Sequence, residues 1–172
     1  MKVAEYQEKV KDIPINEVVF VDETGCDTYY YREYGYAPVG EKVFGEISGR
    51  KFQRVNLVAA KQGEQLLAPF QYSGTTDAPL FEGWFGEQLL PVLTKDTVVV
   101  MDNASFHRKE ELLALAEEYS VRLIFLPPYS PELNPIEKVW ANIKRWLNKN
   151  MRNYSSFDNA VSAAINSMFP VG

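Results

Sequence analysis

Leu126-Pro-Pro-Tyr-Ser-Pro-Glu-Leu-Asn-Pro-Ile-Glu-Lys-Val-Trp-Ala-Asn-Ile-Lys-Arg-Trp146 carries four prolines, at positions 127, 128, 131 and 135. Proline fixes φ and removes a backbone donor, so this part continues neither a helix nor a strand. It reads as a stiff bracket between the strand before it, Val121 to Leu126, and the helix after it. Asn134 is placed to cap that helix and Pro135 to take its first position. Apolar residues then follow at helical spacing: Ile136, Val139, Trp140, Ile143, Trp146 and Leu147. Glu137 falls in the first turn, where the ordinary role of an acid is to reach back to the N-cap amide in a capping box and to suit the helix dipole. A second role depends on what else in the chain converges on this carboxylate.

Two earlier stretches supply candidates. Val18 to Val21 and Val98 to Met101 are continuous apolar runs of the kind expected for strands buried on both faces. The first stops at Asp22-Glu23-Thr24-Gly25 and the second at Asp102-Asn103, so each delivers an acid at its carboxyl end. The structural role of an Asp in such a place is to cap a turn after the strand. Around these runs, residues 2 to 12 read as a short helix with Val3, Tyr6, Val10 and Ile13 on one side, ended by Pro14. Cys26 to Lys51 reads as a long, partly extended excursion with Arg50 and Lys51 at its tip, and such excursions are commonly functional. Arg54 to Ala60 and Leu66 to Tyr72 read as a hairpin turning around Gln62-Gly63. Helices are expected over Asp77 to Leu93, from a Ser105 cap to Tyr119, and after a Ser155-Ser156 cap.

The 172 residues are 46% hydrophobic and 13% aromatic, enough for a proper core, and read most simply as one domain. A single cysteine, Cys26, excludes an internal disulfide and a cysteine-rich metal site, and a structural role in a reducing compartment is expected for it. The charged N-terminal segment lacks an apolar core of signal-peptide length, and no run has the length to span a bilayer. A soluble protein without membrane partners is therefore expected. A net charge of −5 argues against coating nucleic acid by bulk charge, so any such contact must come from local patches.

Strand, helix, strand and helix following an antiparallel start predict an α/β architecture: a mixed sheet of about five strands with helices on both faces. Right-handed crossovers set the strands ending at Asp22 and Asp102 parallel. As neighbours about 4.8 Å apart they would bring two carboxylates together at the carboxyl edge of the sheet, where α/β folds bind ligands. Two ionised acids so close repel unless a cation joins them. Oxygen ligands with no usable cysteine select a hard cation, Mg²⁺ or Mn²⁺. A third acid from the Glu137 helix would complete a site for two ions about 3.5–4 Å apart, the arrangement used for phosphoryl transfer.

Val21-Asp-Glu-Thr-Gly25, Met101-Asp-Asn-Ala-Ser-Phe-His107 and Leu126 to Trp140 together resemble the catalytic domain of bacterial insertion-sequence transposases of the mariner-like superfamily. The resemblance covers nearly the whole chain, and the 34 residues between Asp102 and Glu137 match that family's acidic spacing. It implies a ribonuclease-H-like fold with Asp22, Asp102 and Glu137 as a metal-binding catalytic triad using Mg²⁺ or Mn²⁺. It implies cleavage of DNA at transposon ends, then attack of the freed 3′ hydroxyl on target DNA, typically at TA, in the bacterial cytoplasm. The excursion after the first strand corresponds to a loop that in relatives reaches toward a partner subunit, so a homodimer is an expectation. That family also carries an N-terminal helix-turn-helix region. Here residues 1–172 read as one catalytic domain with a lead-in helix over 1–14 and without that region, so sequence-specific end binding is not expected of it.

Candidate DNA contacts are Arg50, Lys51, His107, Lys138, Lys144 and Arg145; with Lys149 and Arg152 the Glu137 helix is locally basic. Phosphate contacts dominate nucleic-acid affinity, whereas the ordinary reading of such charges is a solvated helix face. His107 could touch DNA or assist proton transfer, or simply begin a helix. Trp140 and Trp146 read as core. Two other functions share the pattern: a nuclease of the same fold that only hydrolyses, and a non-catalytic remnant kept for DNA binding or self-association.

Overall fold

The computed structural model describes residues 2–28, 39 and 53–170. Ten-residue β1 (Val18–Asp27), β2 (Arg54–Gln62), β3 (Gln65–Tyr72), β4 (Val98–Met101) and β5 (Arg122–Phe125) form one sheet in the order β3-β2-β1-β4-β5. β1, β2 and β3 pair antiparallel, whereas β1–β4 and β4–β5 are parallel. The mixed sheet of five strands is the one expected from the sequence.

Helices cover both faces. The odd-numbered residues Val19, Val21, Val99 and Met101 face a core built with Phe81, Trp84, Phe85, Leu89 and Leu112, which come from α2 (Ala78–Trp84), the turns after it and α3 (Lys109–Glu118). The opposite face is divided. α1 (Val3–Val10) places Tyr6 over Val18, Phe20, Val98 and Val100, while α4 (Ile136–Asn150) and α5 (Phe157–Met168) pack on Cys26, Val55, Leu57 and Ala59. Every residue of β4 is at most 2% exposed, as its unbroken apolar run requires of a strand covered on both sides.

Several boundaries move, each for a local reason. β1 does not stop at Asp22; it continues to Asp27 because β2 pairs with it as far as Asp27↔Arg54 and supplies the backbone partners that Asp-Glu-Thr-Gly would otherwise lack. The excursion therefore leaves after Thr28, whose amide bonds Gln53 O at 3.0 Å, and Cys26 is a buried strand residue. Apart from Val39, the rest of that excursion, with Arg50 and Lys51, lies outside the described residues. The helix expected over 77–93 breaks into α2, a π turn over Phe85–Leu89 and a 3₁₀ turn over Leu90–Val92. Asp77 caps it by accepting from the Leu80 amide at 3.0 Å. Ser105 caps nothing: α3 begins at Lys109, because residues 104–107 are used in a turn closed by the His107 amide on Ala104 O.

The hairpin turns at Gly63, whose φ of 55° suits glycine. One extra residue on β3 between the Val58 and Ala60 pairings makes a bulge beside Pro69, both ordinary on an edge strand. Ser156 caps α5 by accepting from the Asn159 amide. No described helix is long and apolar enough to cross a membrane.

Candidate active site

Parallel pairing of β1 with β4 runs Val18↔Val98, Val19↔Val99 and Phe20↔Val100. Carried two residues further, that register sets Asp22 beside Asp102 on the α1/α4 face of the sheet. Both line a cavity of about 330 Å³ together with Glu137, Leu126, Asn134 and the proline bracket from Pro127 to Pro131. The three acids come from three places in the chain: the middle of β1, the residue after β4, and the first turn of α4.

Each acid is held differently. Asp22 accepts a hydrogen bond at 3.0 Å on Oδ2 from the indole Nε1 of Trp140, one turn along α4 from Glu137. Trp140, only 2% exposed, is thus both core, as its helical position predicted, and a positioning group for Asp22, which its position did not reveal. Asp102 accepts on Oδ1 from the Ala104 amide at 3.1 Å, an Asx turn, while its side chain stays 47% exposed. Glu137 is exposed, and its carboxylate makes no hydrogen bond to a described residue.

The capping reading of Glu137 does not match the local geometry. The amide of Asn134, to which Glu137 would reach back, donates instead to Pro131 O at 2.9 Å. α4 starts at Ile136 with Pro135 already helical, and Asn134 faces the helix amides with Oδ1, at a long 3.4 Å from the Ile136 amide. Its Nδ2 donates to Val21 O at 3.1 Å, so Asn134 ties the start of α4 to β1 next to Asp22.

Burial pushes the Asp22 carboxyl up to about 7, with the charges of Glu23 and Glu137 adding to the rise and the Trp140 bond opposing it. The sign for stability follows. An unfolded Asp titrates near ~3.9, so between that pH and about 7 the fold binds the extra proton and loses stability as pH rises through the interval. Asn cannot ionise and retains an acceptor for Trp140. In metal-free buffer Asp22→Asn is therefore expected to melt higher than the parent at pH 8, by about 1–2 kcal/mol after allowing for solvent at the cavity mouth, and equally at pH 4. Melting curves across that range measure it; an advantage independent of pH would show that the carboxyl is not strained by burial.

On the other face of β1 lies a group that the sequence reading passed over. Glu23 points away from Asp22, as successive strand residues must, and its Oε1 stands 3.3 Å from His107 Nε2. His107 Nδ1 lies 3.3 Å from the Asp102 carbonyl oxygen and 3.4 Å from its Oδ1. The imidazole packs on the Phe81 ring, 4.3 Å between centroids, and its side chain is 1% exposed. Burial pulls His107 down, but the hydrogen bond and charge of Glu23 and the nearness of Asp102 outweigh it, and the net direction is up. Burial raises Glu23, against the His107 bond. His107 is therefore turned inward: its side chain, between Glu23 and Phe81, is only 1% exposed and does not face the open surface expected of a DNA contact.

Glu23, Asp102 and His107 are also the described residues whose ligand atoms all lie within 4.8 Å of one another. Both ring nitrogens of His107 are already engaged, and of the three only Asp102 also lines the cavity. The three cavity acids are not drawn together as closely. Their donor set fits hard cations: oxygen only and reached from solvent, with the Asp22 carboxyl raised by burial and by the nearby Glu23 and Glu137 charges. Of the other candidates, Lys138 and Arg145 are exposed on α4, and half-buried Lys144 lies near enough to Cys26 for its charge to be felt there.

A mixed five-stranded sheet with helices on both faces, carrying acids on β1, just after β4 and on α4, is the ribonuclease-H-like fold. The chain belongs to the DDE superfamily endonucleases, whose family pattern matches residues 17–160. Solved structures similar to it include the Mos1 transposase paired-end complex with left transposon end, at a TM-score of 0.65 and 14% identity over 96% of this chain and 56% of that one. The Mos1 strand transfer complex matches at 0.66 and 15%, over 98% and 50%. The catalytic core domain of BIV integrase matches at 0.54 and 12%, over 88% and 82%. An uncharacterised protein of Sinorhizobium fredii is 36% identical over 66 residues, 38% of this chain and 45% of that protein. The chain thus spans about half the length of these Mos1 chains and of that relative.

Proposed function

We infer that this chain is the catalytic domain of a transposase, cleaving DNA at transposon ends in a metal-dependent reaction and joining the freed 3′ hydroxyl to target DNA. The observation that carries the reading is the convergence of Asp22, Asp102 and Glu137 on one open cavity at the sheet edge. Membership of the DDE endonucleases supports phosphodiester chemistry, and the names of the Mos1 complexes support transposon ends and strand transfer as its setting.

Asp22, Asp102 and Glu137 would hold the divalent ions, Mg²⁺ or Mn²⁺ and two in number. When bound, such ions lower the pKa of an attacking oxygen and stabilise the charge on the leaving one. The protein supplies placement. Trp140 fixes the rotamer of Asp22, the Ala104 amide fixes Asp102 Oδ1 and leaves Oδ2 free, and Asn134 sets the start of α4 so that Glu137 faces the cavity. Exposed Lys138, beside Glu137, and Arg145 further along α4 are suited to phosphates of the entering strand, with Arg50 and Lys51 as further candidates. Two copies of the domain acting on two ends is the assembly this reading expects.

The test is incubation with labelled transposon-end duplex and TA-containing target DNA in Mg²⁺ or Mn²⁺. Nicked ends together with joined products support the transposase; nicking with no joined product under any end sequence reassigns the domain as a hydrolytic nuclease. No cleavage, with Mn²⁺ binding also absent, would overturn both.

A further inference from the structure

Tyr129 is 100% exposed, whereas the next most exposed described aromatic, Tyr119, is at 40%. Its backbone is left-handed, with φ at 56°, an unfavourable state for a residue with a Cβ. Its ring makes no hydrogen bond or ring contact with any described residue, so the side chain itself does nothing to hold that backbone state.

The loop that carries it is rigid. Pro127, Pro128 and Pro131 fix φ on both sides, and buried Ser130 donates through Oγ to Pro128 O at 3.3 Å. Its two ends are pinned to the strands that carry the acids: the Leu126 amide donates to Met101 O at 2.7 Å, and Asn134 Nδ2 to Val21 O at 3.1 Å. Tyr129 lines the same cavity as Asp22, Asp102 and Glu137. From Leu126 to Pro135 the sole charged residue is Glu132, so this wall of the cavity has no means of attracting phosphate. What it offers is the exposed face of an aromatic ring on a loop whose backbone the prolines hold.

We propose that Tyr129 is a stacking post for a nucleobase, holding an unpaired or terminal base of the substrate strand beside the three acids. The proposal rests on the reading of DNA as substrate and adds a contact that reads the base rather than the backbone. Stacking accepts any base, because every base has a π face. A ring on a preordered loop loses little conformational freedom when a base settles on it.

The probe is a short duplex with a single-stranded 3′ overhang carrying 2-aminopurine, with Ca²⁺ in place of Mg²⁺ so that binding is read without turnover. The parent protein should quench the fluorescence. Tyr129→Ala should lose the quenching and bind about tenfold more weakly, within the range for removing one stacked base. Its salt dependence should keep the parent slope, since no phosphate contact has gone. Tyr129→Phe should restore both quenching and affinity. Because the side chain touches nothing in the fold, unchanged melting temperatures are expected and certify the variants.

Full quenching and affinity in folded Tyr129→Ala would overturn the proposal, as would a loss that Phe fails to restore, which would assign the contact to the hydroxyl. Cleavage assays in Mn²⁺ separate the two levels. A parent that cleaves DNA while Tyr129→Ala binds and cleaves identically removes the stacking post alone; a parent that neither binds nor cleaves the DNA removes the substrate reading and the post with it.

Discussion

Glu137→Gln is expected to leave the protein folded and to lower metal-dependent strand cleavage by about a thousandfold or more, a loss at or above that seen when one preorganised electrostatic group is removed from an active site. The fold has little to lose. The Glu137 carboxylate bonds to no described residue, the Asn134 amide it would have capped is donated to Pro131, and α4 is anchored by the buried stripe Ile136, Val139, Trp140, Ile143 and Leu147. What the helix forfeits is an acid near its positive end, about 0.3–1 kcal/mol. Against that stands relief of Asp22, whose carboxyl is raised in part by the charge of Glu137. In metal-free buffer the melting temperature should therefore stay level or rise slightly. Gln keeps the shape and an oxygen but not the charge that would hold a cation. Cleavage of labelled DNA in Mg²⁺, with melting curves with and without metal, measures both effects. Near-parental cleavage by the folded variant would sink the metal-ligand assignment of Glu137.

Asp102→Asn is expected to weaken Mn²⁺ binding by about a hundredfold or more, since an anionic ligand weighs at least as much as the outer groups whose loss costs 10–100-fold. Asn is the informative replacement because it preserves the scaffold. Its Oδ1 still accepts from the Ala104 amide, and the backbone carbonyl that faces His107 Nδ1 is untouched. The turn from 104 to 107, and with it the start of α3, should persist. Titration calorimetry with Mn²⁺ at pH 8, where Asp22 has largely shed its proton, reads the change. Parental affinity would remove Asp102 from the site and turn attention to the acids that remain, Asp22 and Glu137.

Local pattern made much of this protein legible. Four apolar residues in a row announced β4, and similar residues announced β1, because a strand covered on both faces has no polar side to alternate with. The stripe on α4, the Gly63 turn and the Ser156 cap each report a constraint satisfied within a few residues of chain. The identity of the three acids was visible for the same reason: each adjoins a recognisable element. Motif resemblance then supplied the family, which the matched span of residues 17–160 shows.

Where local pattern stopped, the cause was long-range pairing. β1 looked as though it ended at Asp22, and only β2, paired with it from Phe20 to Asp27, explains why Asp-Glu-Thr-Gly remains extended. That continuation, through the alternation of a strand, sends Glu23 to the opposite face and into contact with His107, a buried residue 84 positions away whose role local pattern left open. Trp140 was read as core from its helical spacing, which says nothing of an indole nitrogen aimed at Asp22 across 118 positions. The sequence by itself determined which segments bury, which turn and which acids follow their apolar runs. Which acids face one cavity, which amide Glu137 cannot reach, and which ring is left standing in solvent were decided only in three dimensions, because register and hydrogen-bond partnership are chosen between segments and leave no periodicity within either one.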